Sequence, residues 1–374
     1  MDTYQCLDKK VLSLGNDFWR FSLINRFFSL KQKRICSLLA IAVTGLFLLS
    51  GCGNVDSSDN ASLNGSLGVN EDSESTLDEV QYNSFQTLNV PTYIGKIDDD
   101  YFIVDCYNNQ VIYNDNINDP ISNWKVMTSN ISEGHTVASD GKVYLVDDTE
   151  NNRVLVFKKD KENDTFEQIQ TIDNVGNKPH YIVYDKDTNL FYCWSSFSGE
   201  MFLFRKSFFS DNVKQIGVKT ISDLTGTYIR SFTIIGDDIY FVSGIPNGNG
   251  HVITPQILVA GKENFKVKKS YPVSDKIAGM AQLVKIKDYY YITVSTDLYG
   301  DQDAADFIRV KNLSNLESGS YESIYSGYFE GGGTPYYIGE IDGTYFLTEH
   351  RLTDHYIWSF NVADDNSISS NGIY

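Results

Sequence analysis

The sequence predicts an all-β protein, a six-bladed β-propeller of four-stranded antiparallel blades, and three observations carry that expectation. One pattern recurs six times between Pro91 and the C-terminus: an apolar strand start, an acidic turn, an aromatic-rich strand, a polar loop and a further strand. Aligning each copy on its turn makes Thr92, His135, His180, Arg230, Ala281 and Tyr336 equivalent, at separations of 43, 45, 50, 51 and 55 residues. Four-stranded propeller blades repeat every ~40–50 residues. Composition agrees, since 25 Tyr and 22 Phe suit a pleated, half-buried surface.

The copies follow in order. The first reads PTYIGKIDDDYFIVDCYNNQVIY, residues 91–113. Within it Tyr101, Ile103 and Asp105 alternate with Phe102, Val104 and Cys106, the period of a strand. Further copies span 134–157, 179–204, 229–259 and 280–310, and the last spans 335–360. Each blade also needs an outer strand; FEQIQTI (166–172), VKQIGVKTI (213–221) and FKVKKSYPV (265–273) fit. Only a short tail follows Phe360, and NSFQTLNV (83–90) is similar to QIQTIDNV (168–175). Residues 79–89 are therefore expected to supply the outer strand of the last blade, so that an N-terminal strand closes the ring. Such closure leaves only short, protected edges.

Four segments precede or form this unit: 1–30, 31–51, 52–78 and 79–374. Residues 35–51, ICSLLAIAVTGLFLLSG, follow the basic run Lys31, Lys33 and Arg34 and end at Cys52. A basic region, an apolar region and small residues before a cleavage point make a secretory signal. The terminal LSGC resembles the lipobox of bacterial lipoproteins. That resemblance implies acylation of Cys52, which becomes the first mature residue. It also implies a location in the bacterial cell envelope, anchored on the outer side of the cytoplasmic membrane or at the cell surface. A signal normally starts at its basic region, so residues 1–30 read as an upstream extension that is not translated. Residues 52–78, rich in Ser, Asn, Gly and acids, are too polar to build a core and read as a flexible acidic tether.

The chain carries 31 basic and 49 acidic residues, net −18. Without residues 1–51, which hold seven of the basic and three of the acidic residues, net charge is −22. Nucleic acid is excluded as a partner, because it demands a basic footprint. Tight peripheral binding to anionic lipid is disfavoured as well, so membrane attachment falls to the lipid anchor. Of five Cys, Cys106 and Cys193 fall in the mature domain, on non-adjacent blades, and read as buried hydrophobes without a disulfide. A monomer without cofactor is expected.

GKVYLVDDTENNRVLVF (141–157) resembles the NHL repeat, which carries an Asp, then an Asn, then Arg-Val. Here these are Asp147 or Asp148, Asn152 and Arg153-Val154. The first copy keeps Asp105 and Asn109 but has Gln110 for the Arg; the third has Trp194 at the Asp position. The resemblance implies a six-bladed propeller. Propellers of this group include protein-, glycan- and RNA-binding modules, lyases and lactonases, so the fold does not choose a function.

The start of the first strand and the end of the second open on one face of each blade. One mouth therefore gathers Thr92, His135, His180, Arg230, Ala281 and Tyr336 with Asp105, Asp147 or Asp148, Trp194, Ser243, Ser295 and Glu349-His350-Arg351. Ligands favour such concave mouths. His135, His180 and Arg230, on successive blades, point to an anionic ligand, with Arg230 clamping a carboxylate and a His as acid or base. The same residues also fit a water-lined channel. His350 is a candidate third imidazole for a metal. Tyr336, Trp194 and Tyr93 are candidates for an aromatic platform. In the loop STDLYGDQDAAD (295–306), Asp297, Asp301 and Asp303 are candidate oxygen ligands for Ca²⁺, in a pattern that is not an EF-hand. The leading expectation is a binding module for a glycan, peptide or protein. The alternatives are a lyase or hydrolase acting on an anionic polysaccharide or small ester, and an envelope-assembly scaffold.

Overall fold

The computed structural model describes residues 80–246, 254–352 and 355–374. The upstream extension, the signal, the tether and Cys52 lie outside the described residues. Residues 78–374 cluster as one compact unit. It is a ring of six four-stranded antiparallel sheets, each built from consecutive strands.

Blade one comprises Pro91–Ile97, Asp100–Asp105, Gln110–Asn114 and Lys125–Thr128. Blade two comprises Val137–Ser139, Tyr144–Asp148, Arg153–Asp160 and Thr165–Asp173. Blade three comprises Pro179–Asp185, Leu190–Ser195, Glu200–Lys206 and Val213–Thr220. Phe232–Ile235, Asp238–Ser243, Gln256–Gly261 and Val267–Pro272 make blade four. Met280–Ile286, Tyr289–Val294, Asp306–Val310 and Glu322–Ser323 make blade five. Thr334–Ile341, Thr344–His350, Ile357–Val362 and Ile368–Gly372 make blade six. Among the described residues, no helix is long and apolar enough to cross a membrane.

The acidic turns that marked the repeat are tight first-to-second-strand hairpins needing left-handed backbone. Asp98 and Asp342 have φ of 54° and 51°, and Gly141 and Gly236 have 83° and 60°. Gly enters that region freely and Asp tolerates it, as does Asn189 in blade three at 55°; blade five places Lys287 there at 51°.

The core is divided into six wedges, one between each pair of neighbouring blades. Phe102, Val104 and Tyr113 pack on Val146 and Leu155 between blades one and two. Leu145 and Val154 meet Phe191 and Cys193 between two and three. Trp194 and Tyr192 meet Phe232 and Phe241 between three and four. Between five and six, Tyr291 and Phe307 meet Leu347 and Phe360. Cys106 and Cys193 are free and buried, as expected.

Closure departs from expectation. The outer strand of blade six is Ile368–Gly372, paired with Ile357–Val362, so the C-terminal tail supplies it and residues 79–89 do not. Tyr82 instead bridges Lys125 on the outer edge of blade one. The misleading signal was the similarity of 83–90 to an outer strand; Gln81, Tyr82 and Asn83 do run along a blade edge, but on blade one, and Asn89 and Val90 then bind at the end of that blade's second strand. The seam between blades six and one is sealed by Ile94, Ile103 and Ile112 against Ile341, Phe346 and Ile357. Lys96 pairs with Asp342 at 2.7 Å across it, and the Tyr374 hydroxyl donates to Asp119 O at 2.8 Å on blade one.

Candidate ligand-binding mouth

The equivalent positions aligned in the sequence are special in the backbone. In blades one, three and five the first strand skips one residue in its pairing with the second. Pro91 faces Asp105 but Tyr93 faces Val104, leaving Thr92 unpaired. His180 and Ala281 are passed over in the same way, and in blade six the register slips between Pro335 and Ile338, across Tyr336. A bulge re-aims the side chain of its extra residue. Here that aim is into the channel mouth.

Thr92 and Ala281 are small, so the larger side chains reach across the mouth. His135 and His180 stack with centroids 3.6 Å apart and rings 15° from parallel. Tyr336 reaches past blade one to lie 6.2 Å from His135, and His350 sits 5.9 Å beyond it. On the other side Tyr228 meets His180 edge-on at 5.6 Å, and Phe197 follows at 5.3 Å. The Arg230 guanidinium lies 5.4 Å over the Tyr228 ring. The result is an arc of aromatic rings with one cation on it. Tyr228 is held by a two-residue ribbon, Thr227–Tyr228 against Ile245–Pro246. The sequence reading missed Tyr228, although its position two residues before Arg230 would put both on one face of an extended strand.

His180 is 1% exposed, with Nδ1 2.9 Å from Arg230 O. A carbonyl only accepts, so Nδ1 carries the proton and Nε2 the lone pair. Burial, then the Arg230 charge, lowers the His180 pKa to about 3. Burial lowers His350 to about 4, with Arg230 and Arg351 adding to it. Burial, then His180 and Arg230, pulls His135 well below the usual range. All three imidazoles are therefore neutral near pH 7. Tyr228 is pushed up to about 12 by burial and Tyr336 well above the usual value, so both remain hydroxyl donors. Among the described residues Arg230 has no carboxylate partner.

The carboxylates behind the mouth serve the scaffold. Asp105 accepts from Asn89 N at 2.6 Å, Asn108 Nδ2 at 2.6 Å and Gln110 Nε2 at 3.2 Å. Asp148, its equivalent in register, accepts from Ser132 N at 2.8 Å, Asn151 Nδ2 at 2.8 Å and Arg153 Nε at 2.6 Å. Asn109 and Asn152, in left-handed backbone, each accept from the next linker, through Glu133 N and Lys178 N. Asp147 lies one position earlier and holds the backbone N–H groups of His135 and Thr136 at 2.8 and 2.7 Å. Burial raises Asp105 to about 6 and Asp147 to about 7, which weakens their negative field. Glu349 is buried and bound to Tyr325 and to Trp358 Nε1, the latter at 2.8 Å.

Other sequence candidates fall elsewhere. Ser195, not Trp194, stands in register with Asp105 and Asp148, because it pairs with Pro179 and Glu200. Trp194 is fully buried against Phe241 and takes no part in a platform. Tyr93 lies below the mouth, 4.9 Å from Tyr337. Arg351 reaches away to blade five, donating to Gln302 O at 2.7 Å and meeting Asp303 at 3.4 Å. Asp297 and Asp301 cap the backbone of their own loop through Tyr299 N and Asp303 N. Among the described residues no three His, Cys, Asp or Glu side chains are grouped to hold a metal ion.

Beneath the mouth the channel is plugged. Tyr93, Tyr337 and Tyr181 crowd its axis, and Gln282 Nε2 donates to the Tyr181 hydroxyl at 2.9 Å. Gly95 makes this possible, because a Cβ there would meet the Tyr93 hydroxyl at 2.2 Å. Below the plug is a cavity of about 210 Å³ lined by Ile97, Ser139 and Tyr184. The mouth is thus a cup with a floor. Among the described residues, the buried polar side-chain atoms without a partner are His135 Nδ1, Trp194 Nε1, Thr227 Oγ1, Ser243 Oγ, Thr296 Oγ1 and His350 Nδ1. All lie in or near the mouth ends of the blades, where an unmet hydrogen-bonding group costs about 1–3 kcal/mol.

No protein-family model matches the chain, and no curated protein does either. Solved structures do share its fold. A candidate 6-phosphogluconolactonase from Bacteroides uniformis is 12% identical, with a TM-score of 0.54 over 78% of this chain and 86% of that one. Kuenenia stuttgartiensis hydrazine synthase is 14% identical, with a TM-score of 0.51 over 75% and 80%. A streptogramin B lyase is 12% identical, with a TM-score of 0.50 over 79% and 86%. Identity this low establishes the propeller and nothing about its chemistry.

Proposed function

We propose that the protein is an extracytoplasmic binding module, lipid-anchored through Cys52, whose propeller mouth takes a carboxylate-bearing ligand such as an acidic glycan or a peptide carboxylate. One observation carries this reading: Arg230, without a carboxylate partner among the described residues, holds its guanidinium over Tyr228 within an arc of three neutral imidazoles and two phenols, in a protein whose net charge without residues 1–51 is −22. A guanidinium binds a carboxylate through paired hydrogen bonds. Aromatic faces accept the apolar face of a sugar or a peptide side chain, and the unpartnered His135 and His350 nitrogens supply further polar contacts.

Catalysis is the second reading, a lyase or hydrolase acting on an anionic polysaccharide or ester. Its support is the pair of half-buried imidazoles, His135 and His350, near Arg230. Against it, His180 is too buried to touch a substrate and its Nδ1 is already engaged. A glycan screen matching uronic-acid sugars against their neutral counterparts tests the binding reading. Acidic members should be preferred by about tenfold, and Arg230→Gln should erase the preference, as for one charge-assisted contact. Equal binding of neutral and acidic sugars sinks the clamp; conversion of the bound sugar moves the assignment to the enzyme.

A further inference from the structure

The most exposed large apolar side chains among the described residues are neighbours: Phe208 is 91% exposed and Phe209 is 93% exposed. They cap the turn between the third and fourth strands of blade three. Third strands leave the mouth face, so this turn projects from the rim of the opposite face. The tip is built, not loose. Ser207 N donates to Asn212 O at 2.7 Å, and Lys206 Nζ donates to Ser207 O and Ser210 O at 3.1 and 3.0 Å. The two rings meet edge to face at 5.1 Å. No packing within the ring accounts for two adjacent Phe held in water.

The charge behind the tip is opposite to that of the chain. Residues 205–214 hold Arg205, Lys206 and Lys214 against the single acid Asp211, and Asp211 is already paired with Lys158 and Lys206. Among the described residues Arg205 and Lys214, which pair with each other across the hairpin next to the tip, have no carboxylate partner. The acidic total weighs little here, because a surface touching the tip senses charge only within a Debye length, about 8–10 Å.

We infer that this tip is a bilayer contact, with Phe208 and Phe209 entering the interfacial region of an anionic membrane and Arg205 and Lys214 resting on its headgroups. A convex pair of rings ringed by cations suits a soft apolar phase under a negative surface. The acidic remainder of the ring is repelled by the same surface, so the contact sets orientation more than affinity: it turns the mouth away from the membrane. The inference needs neither the Cys52 anchor nor the Arg230 clamp, and it narrows the expectation that net acidity disfavours anionic lipid, since that expectation averaged over the whole chain.

The test uses the compact unit, residues 78–374, which lacks Cys52, so that acylation plays no part. Its partition onto vesicles of phosphatidylglycerol mixed with phosphatidylcholine is compared with partition onto phosphatidylcholine alone. Phosphatidylglycerol should be favoured by about tenfold at low salt, and Phe208→Ser with Phe209→Ser should abolish partition. A Phe208→Trp variant should show its emission shift to the blue on those vesicles only. Because both side chains are exposed, the variants should retain the thermal transition of the parent. Equal partition of the double Ser variant overturns the inference. So does a Phe-dependent self-association without vesicles, which would make the tip a contact between copies.

Discussion

Blades one and two and blades three and four present the same register position at the mouth, and they use it in opposite ways. In the first pair the position is a carboxylate, Asp105 or Asp148, and each makes three or more hydrogen bonds to its own turn and to the incoming linker. In the second pair it is a serine. Ser195 still ties the linker through Asn177 N and O, both at 2.8 Å, while Ser243 has no partner among the described residues. Blade-to-blade latches tell a related story. Thr149 donates to Pro179 O, Ser231 to Ala281 O and Thr293 to Tyr336 O, all at 2.7 Å. Polar groups at one end of the ring thus divide into those that assemble it and those left over. A fold does not retain unmet buried groups without cost, and these leftovers are what supports the proposed ligand-binding mouth.

The largest expected effect breaks the comparison on its structural side. Asp148→Ala strips acceptors from Ser132 N, Asn151 and Arg153 at a fully buried site. Losing one partner of such a group costs about 3–5 kcal/mol. Denaturant unfolding should show that loss, against about 1 kcal/mol for Ser195→Ala. A cost for Asp148→Ala no greater than that for Ser195→Ala would mean the carboxylate is dispensable.

Next comes acid. His180 and His350 have folded pKa values of about 3 and about 4, below the unfolded value, so the unfolded chain binds more protons in between. Stability from these groups is full above about pH 6.5 and is lost as pH falls toward those values. Asp105 and Asp147, raised to about 6 and about 7, act in the opposite sense, taking stability away as pH rises through them. The parent profile therefore mixes two opposed slopes, and a difference experiment separates them. His180→Gln should be the less stable protein at pH 7, having lost the bond to Arg230 O. By pH 4 it should gain on the parent by on the order of 3 kcal/mol, because a neutral imidazole that the unfolded chain would protonate loses about 1.4 kcal/mol for each pH unit of descent. A stability gap that does not change with pH would place His180 in a wetter site than its burial implies.

Much of this was legible in the chain, and the illegible part has physical causes. Six copies, their hairpin turns and the alignment of the mouth residues follow from side-chain periodicity and turn chemistry, which are local. The bulges at Thr92, His180 and Ala281 are not local, since they depend on pairing with the second strand, and so the inward aim of those residues was visible only as an equivalence. The displacement of one residue that put Trp194 where Ser195 belongs has the same origin. Strand alternation reverses the face at each step, so a slip of one turned a core tryptophan into a supposed mouth residue. Arg351 was misplaced because its backbone is left-handed, with φ of 78°. That turn sends its guanidinium toward Gln302 and Asp303 instead of the channel. Ring closure was misassigned for a physical reason: the outer strand of blade six, ISSNG (Ile368–Gly372), carries no apolar alternation, and its pairing with Ile357–Val362 rests on backbone hydrogen bonding that side-chain pattern does not reveal.

The smallest effect sharpens the comparison most, because it sets one residue type at one register position in two blades. In Ser195→Ala the linker N–H of Asn177 loses its acceptor, and a net loss of about 1 kcal/mol follows. In Ser243→Ala nothing loses a partner and an unmet buried hydroxyl disappears, so stability should be unchanged or higher by a few tenths of a kcal/mol. Thermal unfolding of the two variants side by side reads the sign directly. A loss for Ser243→Ala equal to that for Ser195→Ala would show that the hydroxyl is satisfied within the folded chain, and the mouth would then have fewer groups to offer a ligand. A gain, together with weaker binding of an acidic glycan, would show that Ser243 trades stability for a contact.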